Sequence, residues 1–189
     1  AGIEYRAMYS DGDRVAAGSD VVRLKGTLSA LLKGERTALN FLQRLSGIAT
    51  QARDFVSEVA GTPVKLVDTR KTTPGWRVLE KYAVRTGGAH NHRMGLYDGV
   101  LIKDNHIDSA GSIQAAVDGV KAMFVKRGIS VPIEVETRSL QEVRSALKAG
   151  VDRIMLDNMS VEVMKQAVQL INTQAITEAS GMVSLEKIN

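Results

Sequence analysis

Hydrophobic residues change their spacing along the chain, and the change divides it into distinct stretches. From residue 62 onward, short runs of aliphatic and β-branched residues alternate with longer amphipathic segments. The runs predict strands at residues 64–67, 99–102, 133–135, 153–156 and 175–177. Predicted helices separate most of them, at residues 112–127, 140–149 and 161–171. Alternation of this kind favours parallel strands joined by helical crossovers.

The chain before residue 62 is organised differently. Apolar residues from Ala38 to Ala49 recur every three or four positions, which predicts a helix that ends near Gly61. The first 34 residues instead carry turn clusters around short β-type runs such as residues 21–24. We therefore predict a β-rich element at residues 1–34, the end of a separate N-terminal domain, and an α/β domain at residues 35–189.

Each predicted strand ends in a polar cluster. The clusters are Asp68-Thr69-Arg70-Lys71, Lys103-Asp104-Asn105-His106, Glu136-Thr137-Arg138, Asp157-Asn158 and Glu178-Ala179-Ser180-Gly181. In a parallel α/β barrel the carboxyl ends of all strands open on one face, where catalytic residues converge. The clusters therefore predict a common functional site, and the alternative is a set of ordinary solvated loop starts.

The clusters differ in charge and suit different ligands. The cationic residues suit carboxylates or phosphates, and they are Arg70, Lys71, Arg93 and Lys103. The oxygens of Glu136 and Asp157 suit ribose hydroxyls or Mg²⁺. Structural ion pairs between the two groups are the competing interpretation. Ser180-Gly181, before a predicted helix at residues 185–188, suits a phosphate or is an ordinary helix cap.

Three histidines, His90, His92 and His106, lie within a span of 17 residues, so a metal triad is one interpretation. The chain has no cysteine, and arginine and lysine surround these histidines, which disfavours a zinc site. We expect His92 to add a hydrogen-bond donor to an anion site. His106 is expected to cap or orient a loop.

Composition narrows the class of protein. The net charge is +4, but the basic residues are scattered and aromatic residues make up only 4%, which argues against nucleic acid as a partner. No apolar run approaches the roughly 20 residues that span a bilayer. The absence of cysteine is compatible with a reducing compartment, and we predict a cytoplasmic location. The start at Ala1-Gly2-Ile3-Glu4 predicts that the sequence begins inside a longer protein.

Several segments together resemble the quinolinate phosphoribosyltransferase family, also called carboxylating nicotinate-nucleotide pyrophosphorylases. The segments are Gly34-Glu35-Arg36-Thr37-Ala38-Leu39-Asn40-Phe41-Leu42, Asp68-Thr69-Arg70-Lys71-Thr72-Thr73-Pro74-Gly75, Leu79-Glu80-Lys81-Tyr82-Ala83-Val84, Asn91-His92-Arg93-Met94-Gly95-Leu96, Leu101-Ile102-Lys103-Asp104-Asn105-His106-Ile107, Glu134-Val135-Glu136, Met155-Leu156-Asp157-Asn158 and Glu178-Ala179-Ser180-Gly181. The resemblance runs in order over nearly the whole chain. Two residues depart from the pattern of many members. Those members carry glycine in place of Ala89, and glycine or asparagine in place of Met182.

The resemblance implies a parallel α/β barrel, incomplete over this length, with the remnant of an N-terminal α/β sandwich domain. It implies transfer of phosphoribosyl from phosphoribosyl pyrophosphate to quinolinate, with loss of the 2-carboxylate as CO₂ and formation of nicotinate mononucleotide for NAD biosynthesis. The alternatives left open are a truncated, catalytically silent fragment that needs a partner chain, and a related phosphoribosyltransferase acting on another anionic ring.

The resemblance also implies roles for individual residues. The carboxylates of quinolinate would be held by Arg36, Arg70, His92, Arg93 and Lys103, with Thr69 completing the substrate-binding set. Arg36 would come from the neighbouring subunit, which implies a homodimer or a larger homo-oligomer. Lys71 and Lys103 would face the pyrophosphate or ribose phosphate. Ribose hydroxyls or Mg²⁺ would bind Glu136 and Asp157, and the 5′-phosphate would bind Ser180 and Gly181. The expected catalytic residues are Lys71, Lys103, Glu136 and Asp157.

Overall fold

A computed structural model of the chain describes residues 2–186 and 188. These residues form two compact units: the first runs to His92 and includes a short segment from Leu185 onward, and the second is Arg93–Ser184. The first unit contains β1 (Glu4–Ala7), β2 (Val22–Lys25), α1 (Leu28–Glu58) and α2 (Arg77–Thr86). The second contains β3 (Val100–Ile102), α3 (Asp104–Ala110), α4 (Ile113–Arg127), β4 (Ile133–Thr137), α5 (Leu140–Ala149), β5 (Arg153–Asp157), α6 (Val161–Ile171) and β6 (Ile176–Ser180).

The first unit begins with an antiparallel pair of strands, β1 and β2, in which Glu4 lies opposite Lys25. The long helix α1 then begins at Leu28, ten residues before the periodic pattern from which it was predicted. Its start is fixed by Thr27, whose hydroxyl accepts a hydrogen bond from the backbone N–H of Ala30 at 3.4 Å. The helix ends at Glu58, close to the predicted end near Gly61.

The helices α1 and α2 pack closely because Gly87, just after α2, has no side chain. A Cβ atom at Gly87 would lie 2.4 Å from the carbonyl oxygen of Ala49 on α1. The rings of Phe41 and Trp76 stack with their centroids 4.7 Å apart, which joins α1 to the start of α2. The helix α2 was not predicted from the sequence.

The strand predicted at residues 64–67 is wrong. A single parallel bridge forms there, between Val67 and His90. The N–H of His90 donates to the carbonyl of Leu66 at 2.8 Å, and the N–H of Asp68 donates to the carbonyl of His90 at 3.1 Å. Only one residue of the partner segment is in register, so the β-type side chains of this run have no ladder to join.

The second unit is built on a parallel sheet of four strands in the order β3-β4-β5-β6. Aliphatic side chains from one face of the sheet and from α4, α5 and α6 form its core, and the buried members of this cluster include Ile102, Val117, Val135, Val143, Ile154, Leu156, Ala167 and Ile171. The predicted parallel α/β class is confirmed, and closure into a barrel stays a prediction.

The helices of the second unit begin and end at recognisable capping residues. The hydroxyls of Ser112, Ser139 and Ser160 cap α4, α5 and α6. Gly128 and Gly150 follow α4 and α5 in the left-handed conformation that glycine adopts most easily. These caps explain why the predicted bounds of α5 and α6 agree with the structure.

The helix predicted at residues 185–188 is not supported. Leu185 and Glu186 lie in a turn, and Ile188 has no regular secondary structure. Lys187, also part of this prediction, lies outside the described residues. Among the residues that are described, no helix combines the length and the apolar character needed to cross a membrane.

Candidate functional site

In the second unit, the register of the sheet places four predicted site residues on one face. Ile102, Val135, Ile154 and Leu156 point into the aliphatic core, and side chains alternate along each strand. Neighbouring residues in register share a face. The residues on the face opposite the core, at the carboxyl ends of the strands, are therefore Lys103, Glu136, Asp157 and Ser180.

Two of these side chains form an ion pair. The Lys103 ammonium lies 2.9 Å from the carboxylate of Glu136, whose side chain is only 11% exposed. One layer further from the strand ends, Arg153 lies 3.2 Å from the carboxylate of Glu178 and 4.0 Å from that of Glu134. Cations and carboxylates thus alternate across this face, which gives it local charges of both signs with ion pairs already formed.

Asp157 is held by the residue that follows it. Asn158 has a positive φ of 52°, and its side-chain amide donates to Asp157 Oδ2 at 2.8 Å. Its backbone N–H donates to the carbonyl of Ser180 at 2.9 Å. Gly181 has φ of +107°, and a Cβ atom there would lie 2.2 Å from Asn158 Oδ1. The ends of β5 and β6 therefore meet so closely that Gly181 has no room for a side chain.

The loop after β3 is capped by His106, as expected. Its Nδ1 atom accepts a hydrogen bond of 2.9 Å from the backbone N–H of Lys103, at the start of α3. Asp104 in the same turn pairs with Arg138 at 2.5 Å. The backbone N–H of Asn105 and then the Arg138 guanidinium lower the pKa of the Asp104 carboxyl. Both contacts orient the segment that follows Lys103.

Arg93 is also anchored in the second unit. One end of its guanidinium donates to the carbonyl of Gly99 at 2.9 Å. The aliphatic part of the side chain lies over Gly99, where a Cβ atom would come within 3.5 Å of the Cβ of Arg93. The guanidinium is therefore tied to the start of β3.

In the first unit, Thr69, Arg70 and Lys71 lie on a loop that continues into the turn before α2. The Thr69 hydroxyl accepts the backbone N–H of Lys71 at 3.0 Å, while the Lys71 side chain stays exposed. The Nε atom of Arg70 is buried and has no hydrogen-bond partner within the part of the chain that the structure describes. Buried polar groups are nearly always paired, so this donor is suited to an acceptor supplied by a ligand.

The other end of this loop is held by Glu80 on α2, which is buried. Its carboxylate accepts from the guanidinium of Arg44 at 2.5 Å and from the backbone N–H of Thr73 at 3.2 Å. Burial raises the pKa of Glu80, but these hydrogen bonds outweigh it, and the pKa is lowered. Arg77 donates to the Thr72 hydroxyl at 3.1 Å. The loop thus has a defined shape without being part of a sheet.

The beginning of the loop is held by a buried ion pair between Asp68 and Lys81, which also reaches the segment at Asn91 and His92. A cavity of about 300 Å³ lies beside it. Its lining residues are Arg44, Ile48, Asp68, Thr69, Lys71, Thr72, Glu80, Lys81 and Val84.

The structure therefore groups the predicted residues into two sets. Thr69, Arg70, Lys71 and His92 belong to the first unit, where Arg36 is exposed on α1. Arg93, Lys103, Glu136, Asp157, Ser180 and Gly181 belong to the second. That both sets line one cavity stays a prediction. The sequence missed the residues that hold the loop, Arg44, Arg77, Glu80 and Lys81, because nothing in their spacing distinguishes them from surface charges.

The fold and the site define an α/β protein with a parallel sheet and charged residues of both signs at the carboxyl ends of its strands. Residues 48–189 match the family profile described as quinolinate phosphoribosyl transferase, C-terminal domain, and residues 1–46 match the corresponding N-terminal domain. The chain belongs to the quinolinate phosphoribosyltransferase family.

Individual relatives agree with this assignment. The chain is 48% identical, over 98% of its length, to a probable carboxylating nicotinate-nucleotide pyrophosphorylase of Synechocystis, and 47% identical, over 94%, to one of Bacillus subtilis. It covers 63% and 61% of those proteins. Among solved structures, NadC from Streptococcus pyogenes shares 43% identity and aligns with a TM-score of 0.92 over 98% of this chain and 65% of its own. The chain thus spans less than two thirds of the length of these relatives.

Proposed function

We propose that the protein transfers a phosphoribosyl group from phosphoribosyl pyrophosphate to quinolinate. The pyridine nitrogen attacks C1 of the ribose, pyrophosphate leaves, and the 2-carboxylate is lost as CO₂, which yields nicotinate mononucleotide for NAD biosynthesis. Family membership supports the reaction. The observation that carries it on this chain is the buried, unpaired Nε donor of Arg70, in the loop where a dicarboxylate would bind.

Quinolinate is a small dianion, and cationic side chains are its natural partners. Arg70 and Arg93 offer planar donor forks that match carboxylates, and His92 adds a further donor. Arg93 is already tied to Gly99 through one nitrogen at 2.9 Å, which fixes the direction of the fork before a ligand arrives. We assign the first step of binding to these residues, with Thr69 and Lys103 completing the set.

The phosphoribosyl donor is assigned to the strand ends of the second unit. Glu136 and Asp157 would accept hydrogen bonds from ribose hydroxyls, and the backbone at Ser180 and Gly181 would approach the 5′-phosphate. Gly181, with a positive φ of +107°, lets the ends of β5 and β6 meet at Asn158, and this packing would fix the backbone that faces the phosphate. Lys103, paired with Glu136 at 2.9 Å, would exchange part of this contact for a phosphate oxygen.

Catalysis by such a site is electrostatic. No covalent nucleophile is required, because positioned cations stabilise the charge that develops on the leaving pyrophosphate. Lys71 suits this task, since its side chain is exposed while its backbone N–H is held by Thr69. The carboxylates of Glu136 and Asp157 would stabilise positive charge that develops on the ribose ring.

Mg²⁺ is expected to accompany the donor. Carboxylate oxygens are the hard ligands this ion prefers, and Glu136 and Asp157 supply them on one face of the sheet. Asp157 Oδ2 accepts a hydrogen bond from the neutral side-chain amide of Asn158, whereas Glu136 is paired with the cation of Lys103. We therefore propose that Asp157 is the principal contact, direct or through water, and that the ion adds charge neutralisation to the leaving group.

The proposal includes a homodimer or larger homo-oligomer in which Arg36 reaches the site of the neighbouring subunit. Its exposure on α1 is compatible with a role at an interface. We also propose a cytoplasmic location and no nucleic-acid partner, on the grounds of the scattered charge and the absence of cysteine.

The test is the release of CO₂ from quinolinate labelled in its 2-carboxylate. We expect release that requires phosphoribosyl pyrophosphate and that stops when Mg²⁺ is chelated. The control is an analogue with a single 3-carboxylate, from which no CO₂ can be released. Absence of CO₂ release by a folded protein would contradict the proposal and favour the alternative of a catalytically silent fragment. Turnover of another anionic ring instead would favour the alternative of a related phosphoribosyltransferase.

A further inference from the structure

The buried network in the first unit centres on Lys81, which is only 1% exposed. Its ammonium group donates to Asp68 Oδ1 and to the backbone carbonyl of His92 at 2.9 Å. The same Asp68 oxygen accepts the backbone N–H of His92 at 2.8 Å. Lys81 and Asp68 therefore hold both backbone polar groups of His92.

The second oxygen of Asp68 extends the network to Asn91. The side-chain amide of Asn91 donates to Asp68 Oδ2 at 2.6 Å and to the backbone carbonyl of Lys81 at 2.9 Å. The backbone bridge between Val67 and His90 lies immediately before both segments. The network thus joins two chain segments. One segment leads into Thr69, Arg70 and Lys71, and the other contains His92.

The chemistry of this pair indicates a role in geometry rather than in stability. Removing an ammonium and a carboxylate from water is costly, and replacing a buried ion pair by apolar residues is often neutral or stabilising. Lys81 could pack as a methionine at this buried position on α2. The charges of Lys81 and Asp68 have a further use here, because each forms hydrogen bonds with the segment at Asn91 and His92. A methionine could not fix the position of that segment.

We propose that Lys81 and Asp68 are positioning residues that set the spacing between the Thr69-Arg70-Lys71 loop and His92, and thereby the affinity for the dicarboxylate. This inference rests on the proposed function, because quinolinate presents two carboxylates at a fixed separation. Neither residue touches substrate in this account. The donors and acceptors that they use are directed at Asn91, His92 and each other.

The test compares the binding of quinolinate and of phosphoribosyl pyrophosphate to Lys81→Met by calorimetry. We expect quinolinate to bind roughly tenfold or more weakly, since small displacements of binding groups have large effects, while the donor changes by less than about threefold. Asn91→Ala removes part of the network without leaving a buried charge. This variant should weaken the binding of quinolinate in the same selective way, by about fivefold. It keeps the test valid if Lys81→Met fails to fold.

Two further variants separate positioning from simple destabilisation. Lys121→Met makes the same substitution at a lysine that caps α5 through the carbonyls of Ala149 and Gly150, at 2.7 and 3.2 Å. It should lower the melting temperature without selective loss of quinolinate. The double variant Asp68→Asn/Lys81→Met removes both charges and should bind quinolinate more tightly than Lys81→Met alone.

The outcomes that overturn the inference are distinct from those that overturn the proposed function. Folded Lys81→Met and Asn91→Ala with unchanged quinolinate affinity would overturn the positioning role, as would an equal loss of affinity for both ligands. Failure of the unsubstituted protein to bind quinolinate would instead overturn the proposed function, and this inference with it.

Discussion

The two units present charged residues in different ways. In the second unit the sheet places them: Lys103 and Glu136 lie on neighbouring parallel strand ends whose register is fixed by backbone hydrogen bonds. In the first unit Arg70 and Lys71 lie on a loop held by side chains, through Asp68–Lys81 at one end and Glu80 at the other. Buried charges thus hold this loop in the way that a ladder of backbone hydrogen bonds holds a strand.

The difference has a physical consequence for substitutions. Removing one partner of a buried pair leaves an uncompensated charge, which costs several kcal/mol. Removing one partner of an exposed pair costs little, because water replaces the contact. We therefore expect the first unit to respond to changes in residues that never touch a ligand, and the second unit to respond mainly to changes in the residues at the strand ends themselves.

The largest expected effect is on turnover. Lys71→Ala should reduce kcat roughly 100-fold or more, the typical loss when one group that stabilises transition-state charge is removed. Quinolinate affinity should change little, because the exposed Lys71 side chain is assigned to the leaving pyrophosphate. Steady-state kinetics provide the measurement, and Lys65→Ala, at another exposed lysine, is the control. Equal kcat values for the two variants would rule out the catalytic assignment.

The next effect is on the affinity for the donor. Glu136→Gln should raise the KM for phosphoribosyl pyrophosphate about tenfold, which corresponds to one charged hydrogen bond of roughly 1.5 kcal/mol. The KM for quinolinate should stay close to its original value. Initial rates with each substrate varied in turn give both constants. A variant with normal kinetics toward the donor would show that Glu136 serves only as the partner of Lys103.

A stability effect of similar size is expected at the loop. Glu80→Gln should lower the free energy of unfolding by about 2 kcal/mol, because the hydrogen bonds from Arg44 and Thr73 lose their charged acceptor. The pKa of Glu80 is lowered in the folded protein, so its contribution is present above the ordinary carboxyl value of 4.5 and is lost as the pH falls through the folded pKa.

Urea unfolding at several pH values measures this contribution. The original protein should lose more stability than Glu80→Gln as the pH is lowered from neutrality to the acid side of 4.5. Identical pH profiles for the two proteins would show that the contribution of Glu80 to stability does not depend on its charge.

The smallest effect is expected at the exposed pair between Asp104 and Arg138. Their side chains are about half exposed, at 54% and 52%, so Asp104→Asn should leave the melting temperature close to its original value. Its other hydrogen bond, from the backbone N–H of Asn105, can be accepted by an amide oxygen as well. A large fall in melting temperature would contradict the contrast between exposed and buried pairs.

Much of the second unit could be predicted from the sequence because its signals are local. Serine caps precede α4, α5 and α6, and aliphatic residues mark β3, β4 and β5. The polar clusters that end those runs also placed Lys103, Glu136 and Asp157 at strand ends. The helix α2 escaped prediction because it is only ten residues long and no side-chain cap marks its start, although Val78, Leu79, Tyr82 and Ala83 recur at helical spacing.

The error at residues 64–67 has a tertiary cause. A β-type run becomes a strand only when a neighbour supplies a ladder, and here the partner segment offers His90 alone. The residues that hold the loop were missed for a related reason. Glu80 and Lys81 look like ordinary surface charges in the sequence, and only the packing of α2 buries them. Their roles therefore depended on contacts far apart along the chain.

The most direct test of the division between the two sets is a calorimetric titration of Arg70→Ala with each ligand. This account predicts that quinolinate binds roughly 100-fold more weakly, since about 3 kcal/mol is typical for truncation of one partner of a buried charge pair. Binding of phosphoribosyl pyrophosphate should stay within about threefold of the original. Quinolinate affinity that is unchanged by Arg70→Ala, in a protein that binds quinolinate, would contradict the assignment of the loop to the dicarboxylate.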